Sequence, residues 1–199
     1  MMTFTASLDN NPLRQLTKNG RRALRLGPTF DVVIDKRMIA KEIPKRAAMA
    51  ISKVFNEMLT KHQRYTTFML NDYEVSKDWV FIIIDFIIGN VKVNNTFALR
   101  NKEKTFPQEV ALYRHAVHQF GMEHHAGAMR ATLLGCLNKD IHMPTNASLD
   151  ELVTLPDTDP LYNFYLAMKD WKKEREARKA NQREVQRQAD FERNFPTLK

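Results

Sequence analysis

Histidine and cysteine residues in the second half of the chain are the side chains best suited to metal or nucleophilic chemistry. They are His115, His118, His124, His125, Cys136 and His142. Structural zinc sites hold the metal with short pairs of Cys or His ligands. That spacing is absent, and His115 lies at a surface-type position beside Arg114. The sequence therefore predicts histidines on helix surfaces or at helix caps, and no metal site.

Cys136 is the second chemical candidate, because a thiol beside a histidine can act as a nucleophile. Such a nucleophile needs a base and a third group that orients the base. Neither a third group nor a Gly-rich turn accompanies Cys136, which favours a buried structural thiol. The six glycines form no phosphate-cradling loop. The sequence therefore predicts no catalytic residue, no cofactor and no enzymatic activity.

The element around which these residues must be arranged is the apolar stretch from Trp79 to Gly89. Ser76 as an N-cap and Gly89 past the end predict a helix of about three turns, although the isoleucines also fit a buried strand. Nearly every face is apolar, so the helix is predicted to be buried. Asp85 is expected at an edge that reaches water or beside a basic group, and a functional carboxylate is the alternative.

The net charge of +8 is concentrated at the two ends of the chain. Residues 1–30 hold five basic residues against Asp9, and residues 169–199 hold ten basic residues against six acidic ones. The middle is nearly neutral, which indicates basic arms on a neutral module. Such arms could contact nucleic acid, an acidic partner or an import receptor, and solvated tails are the alternative.

The expected location follows from segments that the sequence lacks. The N-terminus has no apolar region of a secretory signal, and the longest apolar run is shorter than the ~20 residues that span a bilayer. The single cysteine excludes an internal disulfide and is typical of a reducing compartment. The sequence therefore predicts a protein of the nucleus or cytoplasm with no membrane partner.

Hydrophobic periodicity predicts an α+β protein, in which a cluster of α-helices covers a small mixed β-sheet and a long charged helix ends the chain. The predicted strands are 30–35, 37–43 and 66–70, with a hairpin turn at Asp35-Lys36. The predicted helices are one opened by Pro44 and continuing to Leu59, the apolar helix, two at 107–120 and 123–137 separated by Gly121, a short one at 150–155 and a long one at about 161–193.

Four short motifs follow one another along these predicted elements. They are Ser52-Lys53-Val54-Phe55 after the hairpin, Phe68-Met69-Leu70-Asn71-Asp72 in a strand, Phe86-Ile87-Ile88-Gly89-Asn90-Val91 at the end of the apolar helix and Leu112-Tyr113-Arg114-His115-Ala116 in the next helix. Their order and spacing resemble the BTB/POZ domain over about residues 28–140. Thr158-Asp159-Pro160-Leu161, after this core, makes the chain most similar to fungal BTB-like proteins. The chain departs from the family pattern at Ile43-Pro44 and Ile87-Ile88.

BTB domains are protein-interaction modules that self-associate, so the resemblance implies a homodimer that acts as an adaptor or scaffold for a larger complex. The chain then comprises a basic flexible N-terminal arm (1–27), a BTB/POZ-like domain (28–140) and a linker with a charged C-terminal helical extension (141–199). Two alternatives stay open. One is a nucleic-acid-associated or chromatin regulator that uses the basic ends, and the other is a substrate adaptor of a cullin-type ubiquitin ligase.

Apolar side chains within the two basic ends are the predicted contacts for protein partners. These residues are Leu13, Leu16, Leu24, Phe164, Trp171, Phe191 and Phe195. Homodimerisation in the BTB family often uses an N-terminal helix, a role that Leu13 to Leu24 would fill here. The first turns of the long helix, up to Trp171, are apolar enough to dock on the domain, and the C-terminal tip is either a docking motif or a frayed tail.

Overall fold

The structure is a computed structural model of the chain and describes residues 12–71, 75–91, 99, 105–138 and 149–194. The chain divides into two compact units, Met1–Glu151 and Leu152–Lys199. The described residues of the first unit form α-helices around a small mixed sheet, and those of the second include one long helix. The predicted α+β class is therefore confirmed.

The sheet begins with the predicted β-hairpin. Its strands are β1 (Thr29–Ile34) and β2 (Arg37–Pro44), and Asp35 and Lys36 connect them. The two turn residues have φ values of 45° and 65°, because a two-residue type I′ turn requires positive φ at both positions. The two residues that the sequence predicted as the hairpin turn therefore connect the two strands.

The third strand, β3 (Thr67–Leu70), pairs in parallel with β1. The strand order is β2-β1-β3, so the sheet is mixed and β1 is its central strand. Phe30, Val32 and Ile34 of β1 are at most 1% exposed. The central strand β1 is therefore also a buried strand. The small mixed sheet predicted from the sequence is confirmed.

The helix predicted from Pro44 to Leu59 is two helices, α3 (Lys45–Ile51) and α4 (Lys53–Lys61). The prediction of one helix was wrong because Ser52 is extended, with φ −118° and ψ 123°. Helical hydrogen bonding cannot continue through an extended residue, so the chain changes direction there.

Hydrogen bonds of the buried Ser52 side chain explain why the break is stable. Its Oγ accepts from the N–H of Phe55 at 3.1 Å, which caps α4, and donates to the carbonyl of Phe120 at 2.6 Å. The N–H of Lys53 donates to the carbonyl of Gly121 at 3.3 Å. The junction between α3 and α4 is therefore hydrogen-bonded to Phe120 and Gly121, which lie far away in sequence.

The apolar stretch forms a helix, α5 (Lys77–Val91). Of the two conformations that the sequence allowed, helix and buried strand, the helix is therefore the correct one. It continues past Gly89, where an end was predicted. Its inner face is at most 2% exposed and comprises Val80, Ile83, Ile84 and Ile87. The expectation of burial on every side was wrong, because Phe81 is 60% exposed. Asp85 lies on this exposed face, at the edge that was predicted to reach water.

The next helical layer consists of α6 (Phe106–Arg114), a π-helical segment (His115–Gln119) and α7 (Glu123–Asn138). Gly121 interrupts it as predicted, with φ at 60° in the left-handed region. A Cβ atom at this position would lie 2.8 Å from the Cβ of Lys53. Backbone conformation and close approach therefore both require glycine here.

The N-terminal residues that were predicted to be a flexible arm include two short helices. These are α1 (Pro12–Gln15) and α2 (Lys18–Ala23). The N–H of Gly20 donates to Thr17 Oγ1 at 3.1 Å and so caps α2, and α1 contacts α3. Part of this basic segment is therefore packed on the first unit.

A 3-10 helix, Asp150–Thr154, precedes the long helix α8 (Pro160–Asn194). Asp159 Oδ1 accepts a hydrogen bond from the N–H of Leu161 at 2.7 Å, which caps the start of α8. Side chains from 173 to 189 are all exposed. Their mixed charge gives pairs along the helix, such as Arg178 Nη2 to Glu174 Oε2 at 3.5 Å.

The substitution Ser52→Ala tests the junction between the helices. It removes the cap of α4 and leaves the buried Phe120 carbonyl without its donor, so we expect the free energy of unfolding to fall by about 1–3 kcal/mol. Urea denaturation followed by circular dichroism measures the change. Thr60→Ala, at an exposed position of α4, is the control and should change stability by less than about 0.5 kcal/mol. Equal effects of the two substitutions would contradict a structural role for the Ser52 hydroxyl.

Candidate protein-interaction site

The strand β3 forms one edge of the sheet, and no strand in the described ranges pairs with its outer side. The carbonyl of Thr66 accepts a hydrogen bond from the N–H of Asp31 in β1 at 2.8 Å, and that of Leu70 accepts from the N–H of Asp35, just after β1, at 3.2 Å. Backbone groups of successive strand residues point in opposite directions, so the N–H and C=O groups of Thr67 and Met69 point away from β1. The two residues therefore present an open hydrogen-bonding edge.

A groove of about 640 Å³ lies along β3 and the turn that precedes it. It is lined by Met58, His62, Arg64, Tyr65, Thr66, Thr67, Phe68 and Met69. Met69 is 68% exposed and Tyr65 is 51% exposed, so two large side chains with apolar surface are open to solvent beside one another in the lining. Open backbone groups and exposed apolar side chains thus occur on the same surface.

Packing on both sides fixes the position of this surface. Phe68 alternates with Met69 and turns inward, where its ring contacts Phe55 edge to face at a centroid distance of 5.0 Å. In the turn, the His62 and Tyr65 rings are stacked at 4.5 Å. Lys45 is buried and donates from Nζ to the carbonyl of Gln63 at 2.7 Å, which attaches the turn to the start of α3.

The described lining of the groove carries one positive charge. Arg64 is the formally charged side chain in its lining, and among the residues that the structure describes none that lines the groove carries a carboxylate. Arg64 also has no ion pair with any described residue. A carboxylate of a bound molecule would therefore meet an available guanidinium group at this surface.

The lining of the groove includes none of the sequence-predicted protein-binding residues that the structure describes. Leu13 is completely buried, so it differs from the exposed contact that was expected, because α1 packs on the first unit. Leu16 and Leu24 are half-buried in the same unit.

The remaining predicted contacts belong to the C-terminal region. In α8, Phe164 is half-buried, whereas Trp171 is 51% and Phe191 58% exposed. Arg175 lies over the Trp171 ring at 5.2 Å from its centroid. Phe195 lies outside the described residues. Sequence reasoning missed the β3 groove, although the alternation in residues 67–70 indicates a half-buried strand.

His115 is buried, so the prediction that it lies on a helix surface was wrong. Its Nε2 accepts a hydrogen bond from the N–H of Ser76 at 3.1 Å, and its Nδ1 lies 2.7 Å from the carbonyl of Ala111. These partners define a neutral ring with the proton on Nδ1. Burial lowers the pKa of His115, the hydrogen bond to Ala111 opposes this shift, and the charge of Arg114 adds to it.

The other residues considered for metal or nucleophilic chemistry do not assemble into a site. No three His, Cys, Asp or Glu side chains within the described ranges are grouped so that they could hold a metal ion. His125 is buried and its ring contacts Phe86, with 5.4 Å between the centroids. Cys136 is half-buried, and His142 lies outside the described residues.

In the described part of the chain, no helix is long and apolar enough to cross a membrane. Comparisons of the chain with protein-family models, curated proteins and solved structures give no match. The functional assignment therefore depends on the geometry of the groove and on the order of the motifs.

The buried, neutral His115 predicts how stability depends on pH. In the unfolded chain this residue has its ordinary pKa of 6.5, whereas the folded-state pKa is lower. As the pH falls below 6.5, the unfolded chain takes up a proton first, so the free energy of unfolding decreases until the folded-state pKa is reached. Above 6.5 this contribution is fully present.

Urea denaturation between about pH 7.5 and 5.5 measures this effect, whose slope is at most about 1.4 kcal/mol per pH unit for one proton. His115→Gln removes the titrating group and should flatten the profile, whatever its effect on stability at pH 7.5. His124→Gln, at an exposed position of α7, is the control and should retain the wild-type slope. An unchanged slope in His115→Gln would show that another group causes the pH dependence.

Proposed function

We propose that the protein is a BTB/POZ-like interaction module that acts as a dimerising adaptor or scaffold for a larger complex, in the nucleus or cytoplasm, and that it is not an enzyme. The observation that carries this proposal is the outer edge of β3, whose backbone groups pair with no other described strand and lie beside the exposed Tyr65 and Met69. An edge of this kind is suited to binding another polypeptide.

The order of the elements supports the resemblance on which the proposal rests. A hairpin comes first, Ser52 to Phe55 begin α4, and Phe68 to Leu70 belong to β3. Phe86 to Val91 end α5, and Leu112 to Ala116 run from α6 into the π-helical segment. The four motifs therefore occupy a strand, helix starts and helix ends in the order expected from the family pattern.

A nucleic-acid-associated or chromatin role is the second candidate, and one observation favours it. Lys18, Arg22 and Arg25, in and just after α2, are all exposed, and no acidic residue occurs between residues 12 and 30. Along α8 the basic residues alternate with acidic ones, as in the pair of Arg187 and Glu184 at 4.0 Å. The basic surface of the first unit is therefore the better candidate for contacting phosphates.

Light scattering over a range of concentrations tests the dimer. The chain mass is 23.2 kDa, and we expect a mass of twice that value at tens of micromolar, because the BTB/POZ resemblance implies self-association. A monomeric mass throughout this range would contradict self-association.

A salt titration separates the two candidate functions. We expect the dimer to persist from about 50 mM to about 500 mM NaCl, because contacts between apolar surfaces do not depend on released counterions. Fluorescence anisotropy with a labelled DNA duplex is the companion measurement. Tight DNA binding that weakens steeply with salt and is lost in the double variant Arg22→Glu/Arg25→Glu would favour the nucleic-acid function instead.

A further inference from the structure

We propose that the β3 groove binds an extended, acidic segment of a partner protein, which adds as a strand to the edge of the sheet. This inference rests on the proposed interaction function and specifies the partner's chemistry. It differs from the predicted contacts at the two ends of the chain, because none of those contacts that the structure describes is part of the groove lining.

The backbone supplies the first part of the recognition. Thr67 and Met69 each direct an N–H donor and a C=O acceptor away from β1. An extended peptide presents the same alternation of donors and acceptors, so it can form a ladder with both residues. A helical segment would hold its own backbone groups in internal hydrogen bonds and could not satisfy this edge.

The side chains beside the edge supply the second part. The groove of about 640 Å³ falls within the usual range of binding clefts, and its exposed apolar surface comes from Tyr65 and Met69. Every second side chain of an added strand points to one face of the sheet. Apolar side chains at alternate positions of the peptide would therefore cover this surface.

Charge selects between partners. Arg64 lies in the turn before β3, has no described ion-pair partner and has no carboxylate beside it in the described lining. A carboxylate at one end of the added segment would form a charge-assisted hydrogen bond with this guanidinium group. A second copy of the chain would instead bring another Arg64 and another net charge of +8 to the same surface, which disfavours edge-to-edge pairing of two copies.

Fluorescence anisotropy with labelled synthetic peptides tests the proposal. The probe is a peptide of about nine residues in which valine alternates with glutamate, and the comparison peptide has lysine in place of glutamate. We expect the acidic peptide to bind at least about tenfold more tightly to the full-length protein. Equal affinities for the two peptides would overturn the role of charge.

Thr67→Pro tests the hydrogen-bonding edge. Its N–H points away from β1, so proline removes a donor from the open edge without removing a hydrogen bond of the sheet, a position where edge strands tolerate proline. We expect binding of the acidic peptide to weaken by about tenfold or more. A peptide with N-methyl groups at alternate residues blocks the same ladder from the other side and should also bind poorly, even if Thr67→Pro does not fold. Undiminished binding of the methylated peptide would overturn strand addition.

Arg64→Glu tests the charge, and it should reverse the preference from the glutamate peptide to the lysine peptide. Arg37→Glu is the matched control, because Arg37 is exposed on β2 but does not line the groove, and it should change affinity by less than about twofold. Equal effects of the two substitutions would indicate that only the net charge of the protein matters, which contradicts the groove as the site.

Light scattering of Thr67→Pro distinguishes this inference from the proposed function. A dimer that persists in the variant while peptide binding is lost supports both. A wild-type dimer that binds neither peptide would overturn the inference and leave the interaction module in place. Conversion of the wild-type dimer to a monomer by Thr67→Pro would show that a second copy occupies the edge, and would overturn the acidic peptide as its occupant.

Discussion

The buried hydroxyl of Ser52 joins two interruptions of the helical structure, and the core is built around this junction. It ends the continuity between α3 and α4 and bonds to the carbonyl of Phe120, where the π-helical segment ends. The ring of Phe55, one turn into α4, then lies within 5.0 to 5.4 Å of Phe30, Phe68 and Phe120. One polar contact thus directs the aromatic side chain that connects the sheet to the helices. Its energetic importance comes from burial, since an unmatched carbonyl in an apolar core costs far more than one in water.

The sequence was sufficient to predict the structure where the determining interactions are local. Asp35 and Lys36 specify a two-residue turn, Gly121 interrupts a helical stripe, and the apolar spacing along α5 identifies its inner face. Prediction from the sequence failed where the conformation or burial of a residue depends on a hydrogen-bond partner that is distant in sequence. Ser52 bonds to a residue 68 positions away, and His115 accepts from a backbone N–H 39 positions away. No periodicity reports such partners, because they are created by the tertiary structure.

The groove beside β3 is likewise a feature that depends on the tertiary structure and that local sequence patterns do not predict. The alternation in residues 67–70 identifies a strand with one buried and one exposed face, but it does not tell which neighbours the strand has. Among the described strands, β1 pairs with β2 on one side and in parallel with β3 on the other, which leaves β3 at the edge of the sheet. Strand order is a global property, so the groove beside β3 becomes visible only in the folded chain.

An open edge strand can pair with other copies of the protein and cause aggregation. The features of β3 that limit this risk also select the partner segment that it can bind. The strand has only four residues, and Arg64 precedes it, as is common for edges protected by short length and by charge. In a chain of net charge +8, the cation makes other copies of the same protein poor partners for the edge. An acidic extended segment meets no such repulsion, so protection against self-pairing and selection of a partner follow from one side chain. Because the edge offers few hydrogen bonds, affinity must come in part from the exposed apolar surface of Tyr65 and Met69, and the resulting contact is suited to reversible assembly.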